Sequence, residues 1–263
     1  EEQLEVQIYP DGFQYELTTG YHGGIINDYV GVINMARKYS DIKVPEKMLT
    51  TIRAMYHLYV KLVEPDGRRP DLNDGSEAPI RGDLQAALNL FPDDEVFRYF
   101  ATDGKEGHAP DYLSIALPYS GIGIFRTAWG GDAIWALFES APFGKAHQHE
   151  DKLHFDLFAY GKRLLRDSGQ YEYDSSDIRK YILSTKAHNT ALVDGLDQNR
   201  RARYHWNDED ITKKSDLFWN FGDEIECAEG SYTEGYGPDF IDVTHHRKVI
   251  FFKKGVAGTK PFF

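Results

Sequence analysis

At 263 residues, 41% hydrophobic and 14% aromatic, the chain is long enough to bury a sizeable core and to divide into two domains. Its net charge of -12 argues against a nucleic-acid surface, no apolar run approaches the length of a membrane span, and the single Cys227 excludes an internal disulfide framework while leaving the redox compartment open. The first residues, Glu1-Glu2-Gln3, carry no signal-peptide pattern.

The first segment with a distinct pattern is Asp11-Gly12-Phe13-Gln14-Tyr15-Glu16-Leu17-Thr18-Thr19-Gly20-Tyr21-His22. It leads into apolar positions Ile25, Ile26, Tyr29, Val30, Ile33 and Ala36, which recur at helical spacing. A second helical run follows through Met48, Ile52, Met55, Tyr56, Tyr59 and Val63, with Pro45 near its start, where a missing N–H costs least. Residues 39–44 should join the two as antiparallel helices. Residues 64–75 are dense in turn formers and charge, and read as an exposed loop that either carries binding groups on a rigid scaffold or merely connects. Residues 84–90 and 94–100 give two shorter helices, starting near Gly82-Asp83 and Pro92-Asp93.

From about Ala116 the period changes. Residues 121–126, 132–139, 153–159, 163–167, 190–193, 217–221, 224–231 and 243–252 read as short strands between Gly, Asp and Asn turns. Helices first and strands after give an α+β chain in two segregated parts, 1–115 and 116–263. Residues 153–159 alternate with period 2, and 162–167 return as their partner across Tyr160-Gly161. This hairpin fixes His149 ahead of its first strand and Asp167 at the end of its second.

His149, Asp167 and His188 together supply two imidazoles and a carboxylate, ligands that zinc accepts. The plainer alternative is three satisfied polar residues at strand ends, since no His-Glu-x-x-His motif is present. Glu150 and Asp151 could cap the turn or fix a histidine tautomer behind a metal. Arg126 is expected to meet an acid in the core, and Asn189 to hold a strand end. Arg200, Arg201 and Arg203, with Arg68 and Arg69, are the local basic clusters. Screening over roughly 10 Å lets such clusters act despite the acidic total.

His147-Gln148-His149-Glu150-Asp151, Leu165-Arg166-Asp167-Ser168-Gly169 and Ala187-His188-Asn189-Thr190-Ala191-Leu192-Val193-Asp194-Gly195 resemble, in order and spacing, the central region of the heparinase II/III-like polysaccharide lyases, a family that includes alginate lyases of similar build. The Tyr21 segment looks like that family's tyrosine-bearing motif, and Ile124-Phe125-Arg126-Thr127-Ala128-Trp129 like its first sandwich strand. The resemblance implies the end of an (α/α) toroid followed by an antiparallel β-sandwich, with further chain expected on both sides. It also implies β-elimination at a uronic acid of heparin, heparan sulfate or alginate, in a periplasmic or secreted enzyme. By the same resemblance Tyr21 is the catalytic tyrosine, able to act as base and acid if a neighbouring cation lowers its pKa. His147 faces the substrate, Tyr173 is a second catalytic tyrosine with Tyr171 as its competitor, and His149, Asp167 and His188 hold a structural zinc. Glu16, His22, Arg200 and Arg201 are the expected substrate-binding groups. An Asn or His expected upstream of Tyr21 has no counterpart in these residues. The implied partner is an anionic polysaccharide, with a homodimer or a pairing with further chain as the other partner expectations.

Two other classes compete with the lyase. A carbohydrate-binding module would use Trp129, Trp135, Trp206 and Trp219 as stacking platforms. A metal-dependent hydrolase would use His149, Asp167 and His188 around an activated water beside an open path.

Overall fold

The computed structural model describes residues 2–39, 42–205, 210–253 and 260–263. Five helices come first: α1 (Glu2–Gln7), α2 (Thr19–Lys38), α3 (Glu46–Leu62), α4 (Arg81–Ala87) and α5 (Glu95–Ala101). The apolar period starts α2 at Ile25, but the helix begins at Thr19, because extended Thr18 caps it by accepting the Tyr21 N–H on its hydroxyl at 3.1 Å. This cap places Tyr21 in the first helical turn. Of the predicted 39–44 connection, residues 40 and 41 lie outside the described residues. Asp94 caps α5 through the Phe97 N–H and also binds Arg53 and His57 of α3. Ile26 and Ile33 of α2 pack with Ile52, Met55, Tyr59 and Val60 of α3 and with Phe97 of α5 in the core of the helical part.

The strands, also numbered in chain order, begin with a two-residue pair, β1 (Arg68–Arg69) inside the predicted loop and β2 (Ala78–Pro79) just beyond it. An antiparallel sheet of five follows in order β3 (Ile115–Leu117), β4 (Ile122–Arg126), β5 (Trp135–Glu139), β6 (Phe155–Ala159) and β7 (Lys162–Leu165). A sheet of three, ordered β10 (His245–Phe252), β9 (Ile225–Tyr232) and β8 (Phe218–Phe221), lies against it. On the larger sheet, Ile122, Ile124, Trp135 and Leu137 pack with Phe13, Leu17, Leu58 and Leu62 of the helical part. Phe125, Ala136 and Phe138 point the other way, toward Ala228, Tyr232 and Phe251 of the smaller sheet. Every residue of β4 and β5 is therefore buried, because alternate side chains feed two different cores. The chain is an α+β fold.

The β6–β7 hairpin turns through Tyr160 at φ 56 and Gly161 at φ 69, the left-handed pair that a two-residue connection requires. β7 is an outer strand, and Arg163 on it reaches Glu64, Asp66 and Glu77, at 2.9 Å for Asp66 and 2.6 Å for Glu77. Residues 190–193 correct the expectation of a strand: Val193 makes only an isolated bridge to Leu196 across left-handed Asp194 and Gly195. A sixth helix that the apolar period does not mark, α6 (Asp177–Leu183), starts where Ser176 accepts the Arg179 N–H at 3.2 Å. Arg126 does not meet an acid as expected. It stacks on Trp129 at 4.1 Å and donates to the Val63 carbonyl at 2.7 Å, beside the C-terminal end of α3. Among the described residues, no helix is long and apolar enough to cross a membrane.

Candidate active site and metal centre

Three side chains from distant segments meet at the surface between the helical part and the sandwich. Tyr21 comes from the first turn of α2, His147 from the connection between β5 and β6, and Tyr173 from the segment leading to α6. The Tyr21 and Tyr173 hydroxyls are 2.8 Å apart, and the Tyr173 hydroxyl is 3.0 Å from His147 Nδ1. The Tyr21 ring stacks on the His147 ring at 3.9 Å with 17° between planes. His147 reaches this position with φ 61, a left-handed backbone that a histidine adopts only under local constraint. Tyr21 is 37% exposed and Tyr173 55%, so the cluster is open to a ligand. Glu16 lies at its edge, 3.8 Å from His147 Nε2, with its carboxyl pushed up by burial against the opposing effect of His147.

The residues 64–75 supply the support behind this cluster. Asp74 sits with one oxygen on each of two histidines: Oδ2 is 3.2 Å from His147 Nδ1 and Oδ1 is 3.0 Å from His149 Nε2. Arg179 of α6 donates to both oxygens, with Nη2 at 2.7 Å from Oδ2, and its guanidinium lies 4.9 Å over the Tyr173 ring. Burial alone would push the Asp74 carboxyl up, but Arg179 and His149 outweigh it and hold Asp74 well below the usual carboxylate range. Burial, the Tyr21 hydrogen bond and the Asp74 charge push the Tyr173 hydroxyl up, against Arg179. The neighbouring cation thus fails to ease deprotonation of this tyrosine, because burial first, and then Tyr21 and Asp74, outweigh it. Asn73 fixes the loop by accepting the His149 N–H at 2.9 Å and donating to the Leu17 carbonyl at 3.1 Å. A Cβ on Gly75 would fall 2.7 Å from Thr19 Oγ1, so only glycine lets the loop pack so closely on the start of α2.

Beneath the surface, ligand atoms of His149, Asp167 and His188 lie within 4.8 Å of one another, all three buried, and form a possible metal-binding triad. His149 Nε2 donates to Asp74, and its Nδ1 has no hydrogen-bond partner among the described residues. His188 Nε2 donates to the Ile182 carbonyl at 3.0 Å, leaving Nδ1 turned to Asp167 Oδ2 at 3.1 Å. Two imidazole nitrogens whose opposite N–H groups are already taken, facing one carboxylate, are the donor set that zinc-type ions select, and the orphaned buried nitrogen fits that use. Burial raises the Asp167 carboxyl, but His188 and His154 outweigh it, so Asp167 is held ionised. His154, just ahead of β6, bonds Asp156 at 2.8 Å and accepts the Asn189 N–H at 3.1 Å, with its Nε2 at 3.6 Å from Asp167. The three ligand candidates are closed off from solvent, unlike the open coordination position a hydrolase would need.

Several expected substrate groups lie elsewhere. His22 is fully buried, with Nδ1 accepting the Gln14 N–H and Nε2 3.0 Å from the Met55 carbonyl; burial pushes its pKa down to about 4. It supports the Tyr21 segment from behind, which corrects its assignment to substrate. Arg200 is likewise buried, bound to Glu234 at 3.2 Å and to the Ala141 carbonyl at 3.0 Å, so it holds the segment that carries His147 and cannot face a polymer. Glu150 accepts the Arg200 and Arg201 N–H groups, at 2.8 and 2.9 Å; Asp74, and not Glu150, fixes a histidine tautomer. Arg201 is exposed, its guanidinium resting on the Gln148 carbonyl, and Arg203 stacks on Phe240 at 3.9 Å. Tyr173 and not Tyr171 is the residue whose hydroxyl meets Tyr21. Of the tryptophans, Trp135 is buried and Trp129 stacks on Arg126, Trp219 is exposed, and Trp206 lies outside the described residues. Asp74 and Arg179 went unseen in the sequence; Asn73-Asp74-Gly75 offered a turn signal, and Arg179 offered none.

Residues 1–99 match the family model Heparinase II/III N-terminus, and residues 109–260 match the model Heparinase II/III-like, C-terminal. A heparin-sulfate lyase of Bacteroides stercoris is 33% identical over 259 residues, covering 95% of this chain and 36% of that protein. A heparin-sulfate lyase of Pedobacter heparinus is 27% identical over 260 residues, covering 96% of this chain and 37% of that protein. Among solved structures, the heparan sulfate lyase HepC of Pedobacter heparinus superposes with a TM-score of 0.80 at 26% identity, over 96% of this chain and 38% of that one. A heparinase III gene product gives a TM-score of 0.78 at 29% identity, over 95% and 39%. The chain spans little more than a third of the length of the curated relatives it matches.

Proposed function

Because the chain belongs to the heparinase II/III-like family, we propose that it carries the catalytic groups of a polysaccharide lyase that cleaves heparan sulfate or heparin at a uronic acid by β-elimination, in a cleft between its helical part and its sandwich. The names of the relatives favour a heparin-type glycan over alginate. The observation that carries the reading is the unbroken contact from Tyr21 through Tyr173 to His147, partly open to solvent. A periplasmic or secreted location belongs with such a polymeric substrate and is part of the same proposal.

In this reaction the C5–H bond of the uronate breaks, the C4–O4 bond breaks with its electron pair leaving on O4, and a C4=C5 double bond forms. His147 Nε2, which has no hydrogen-bond partner closer than Glu16 at 3.8 Å, takes the C5 proton. Tyr21 gives its hydroxyl proton to O4. Tyr21 and His147 are both open to solvent, so once product leaves Tyr21 regains a proton from water and His147 Nε2 gives the C5 proton up to water, which returns both groups to their starting state. Tyr173 suits a hydrogen-bond donor to Tyr21 and not a base, since burial, Tyr21 and Asp74 push its hydroxyl up. This assignment divides between Tyr21 and His147 the base and acid roles that a single tyrosine was expected to hold.

His149, Asp167 and His188 would hold zinc, which when bound would tie together the connection before β6, the end of the hairpin and the segment after α6 without acting on the sugar. Incubation of the purified protein with heparan sulfate should produce the ultraviolet absorbance of the conjugated double bond. Saturated product ends, or polymer left intact, would overturn the lyase reading.

A further inference from the structure

We propose that Asp74 is a positioning residue that sets the direction of hydrogen bonding through His147, Tyr173 and Tyr21, and that ties this direction to occupancy of the His149–Asp167–His188 centre. Its effect on turnover rests on the lyase reading; the physical coupling does not.

An ionised carboxylate can only accept hydrogen bonds. Asp74 is ionised because Arg179 donates to both of its oxygens in a setting where the Asp74 side chain is fully buried and Arg179 nearly so. With Oδ2 at 3.2 Å, it therefore selects the His147 tautomer that carries hydrogen on Nδ1. That hydrogen is shared with the Tyr173 oxygen at 3.0 Å, so the Tyr173 hydrogen is left for the Tyr21 oxygen at 2.8 Å. The Tyr21 hydrogen is then free to point outward. The chain thus has one polarity, which presents a donor at Tyr21 and a bare nitrogen at His147 Nε2.

The other oxygen of the same carboxylate holds His149 Nε2 at 3.0 Å, and His149 offers its partnerless Nδ1 to the candidate metal centre. A carboxylate is rigid, so a shift of the His149 ring on one oxygen moves the other oxygen against His147. Asn73 accepts the His149 N–H and donates to the Leu17 carbonyl, and the Asp74 N–H donates to the His147 carbonyl at 3.2 Å, so the loop cannot absorb the shift by sliding. Two histidines two residues apart are thereby linked through a side chain from a different part of the chain.

The test uses the purified protein with its histidines labelled with nitrogen-15, stripped with a chelator and titrated with zinc alone. The imidazole nitrogen resonances of His147 should shift with the first equivalent of zinc. They should stay fixed in Asp74→Asn, whose single amide oxygen can accept from only one of the two histidines, and also in His188→Ala, which removes a ligand. Turnover on heparan sulfate should fall at least about 10-fold in kcat when zinc is stripped, with KM within about 3-fold, and Asp74→Asn should show the lowered kcat with or without zinc. Should Asp74→Asn fail to fold, the wild-type titration still decides. His147 resonances indifferent to zinc in the wild type, or a zinc response surviving in either variant, would overturn the coupling. A normal zinc response in a protein that leaves heparan sulfate intact would sink the lyase reading alone.

Discussion

His147 and His149 stand two residues apart on one connection, yet one has a side chain 25% exposed and the other is fully enclosed. The left-handed backbone at His147 breaks the extended run, so one ring goes out against Tyr21 and the other in toward Asp167. The outer histidine keeps one nitrogen bare toward the cleft, whereas the inner one turns its bare nitrogen toward two further ligands. Residue type therefore says little about role here. On the proposed reading, what separates a proton-transfer group from a metal ligand is which way its ring turns from the chain and which nitrogen its neighbour has already taken.

The sharpest way to break this contrast is to disable the outer group and watch the inner one. Tyr21→Phe keeps the ring stacked on His147 and removes only the exchanging proton, so kcat should fall roughly 10²-fold or more, about 3 kcal/mol of barrier, with melting temperature and metal content unchanged. His147→Ala should lower kcat on a similar scale and leave the metal in place. Metal loss in His147→Ala, measured by elemental analysis, would mean that the two histidines have been given each other's roles. The converse experiment is His188→Ala, which should release the metal and cost about 3 kcal/mol of stability in thermal unfolding, the scale expected when a ligand held at a hundred times its Kd is lost.

A third histidine sharpens the comparison from outside both sites. His22 is buried with backbone partners and no carboxylate, and its folded pKa of about 4 lies below the ordinary 6.5. Between those values the unfolded chain binds the extra proton, so stability rises with pH through this window and is lost as pH falls from 6.5 toward 4. The full effect is about 3 kcal/mol. Denaturant titrations at several pH values should show this slope flattened in His22→Gln. The smallest effect is expected at Arg201, the exposed member of its pair: Arg201→Ala should raise KM by less than about 3-fold and weaken its salt dependence, with kcat unchanged.

Much of this arrangement was legible in the sequence because it is carried by local pattern. Strand-like runs between turn residues marked β4, β6, β9 and β10, and Tyr160-Gly161 marked the hairpin; ligand chemistry singled out His149, Asp167 and His188, while Tyr21, Tyr173 and His147 came from the family resemblance. Asp74 and Arg179 escaped because their pairing spans 105 residues and leaves no trace in either segment's periodicity. His22 and Arg200 were misread for the opposite reason. Each adjoins a residue of the candidate site in sequence, but a helix turns its next residue by about 100°, and the backbone after Arg200 sends Arg201 outward while Arg200 goes in. Neither direction can be known before the packing is.

Arg163 on the outer strand β7, with its ring of Glu64, Asp66 and Glu77, also bears on how the molecule behaves in company. An outer strand with half-exposed Leu164 and Leu165 is a template onto which another extended chain could add. A guanidinium held among three carboxylates at this edge would force any incoming strand to strip solvent from a charged cluster before its first main-chain hydrogen bond formed. The same ion pairs that fasten the loop carrying Asp74 thus also act as a guard against aggregation, and a protein can lose solubility at this edge with its catalytic groups untouched.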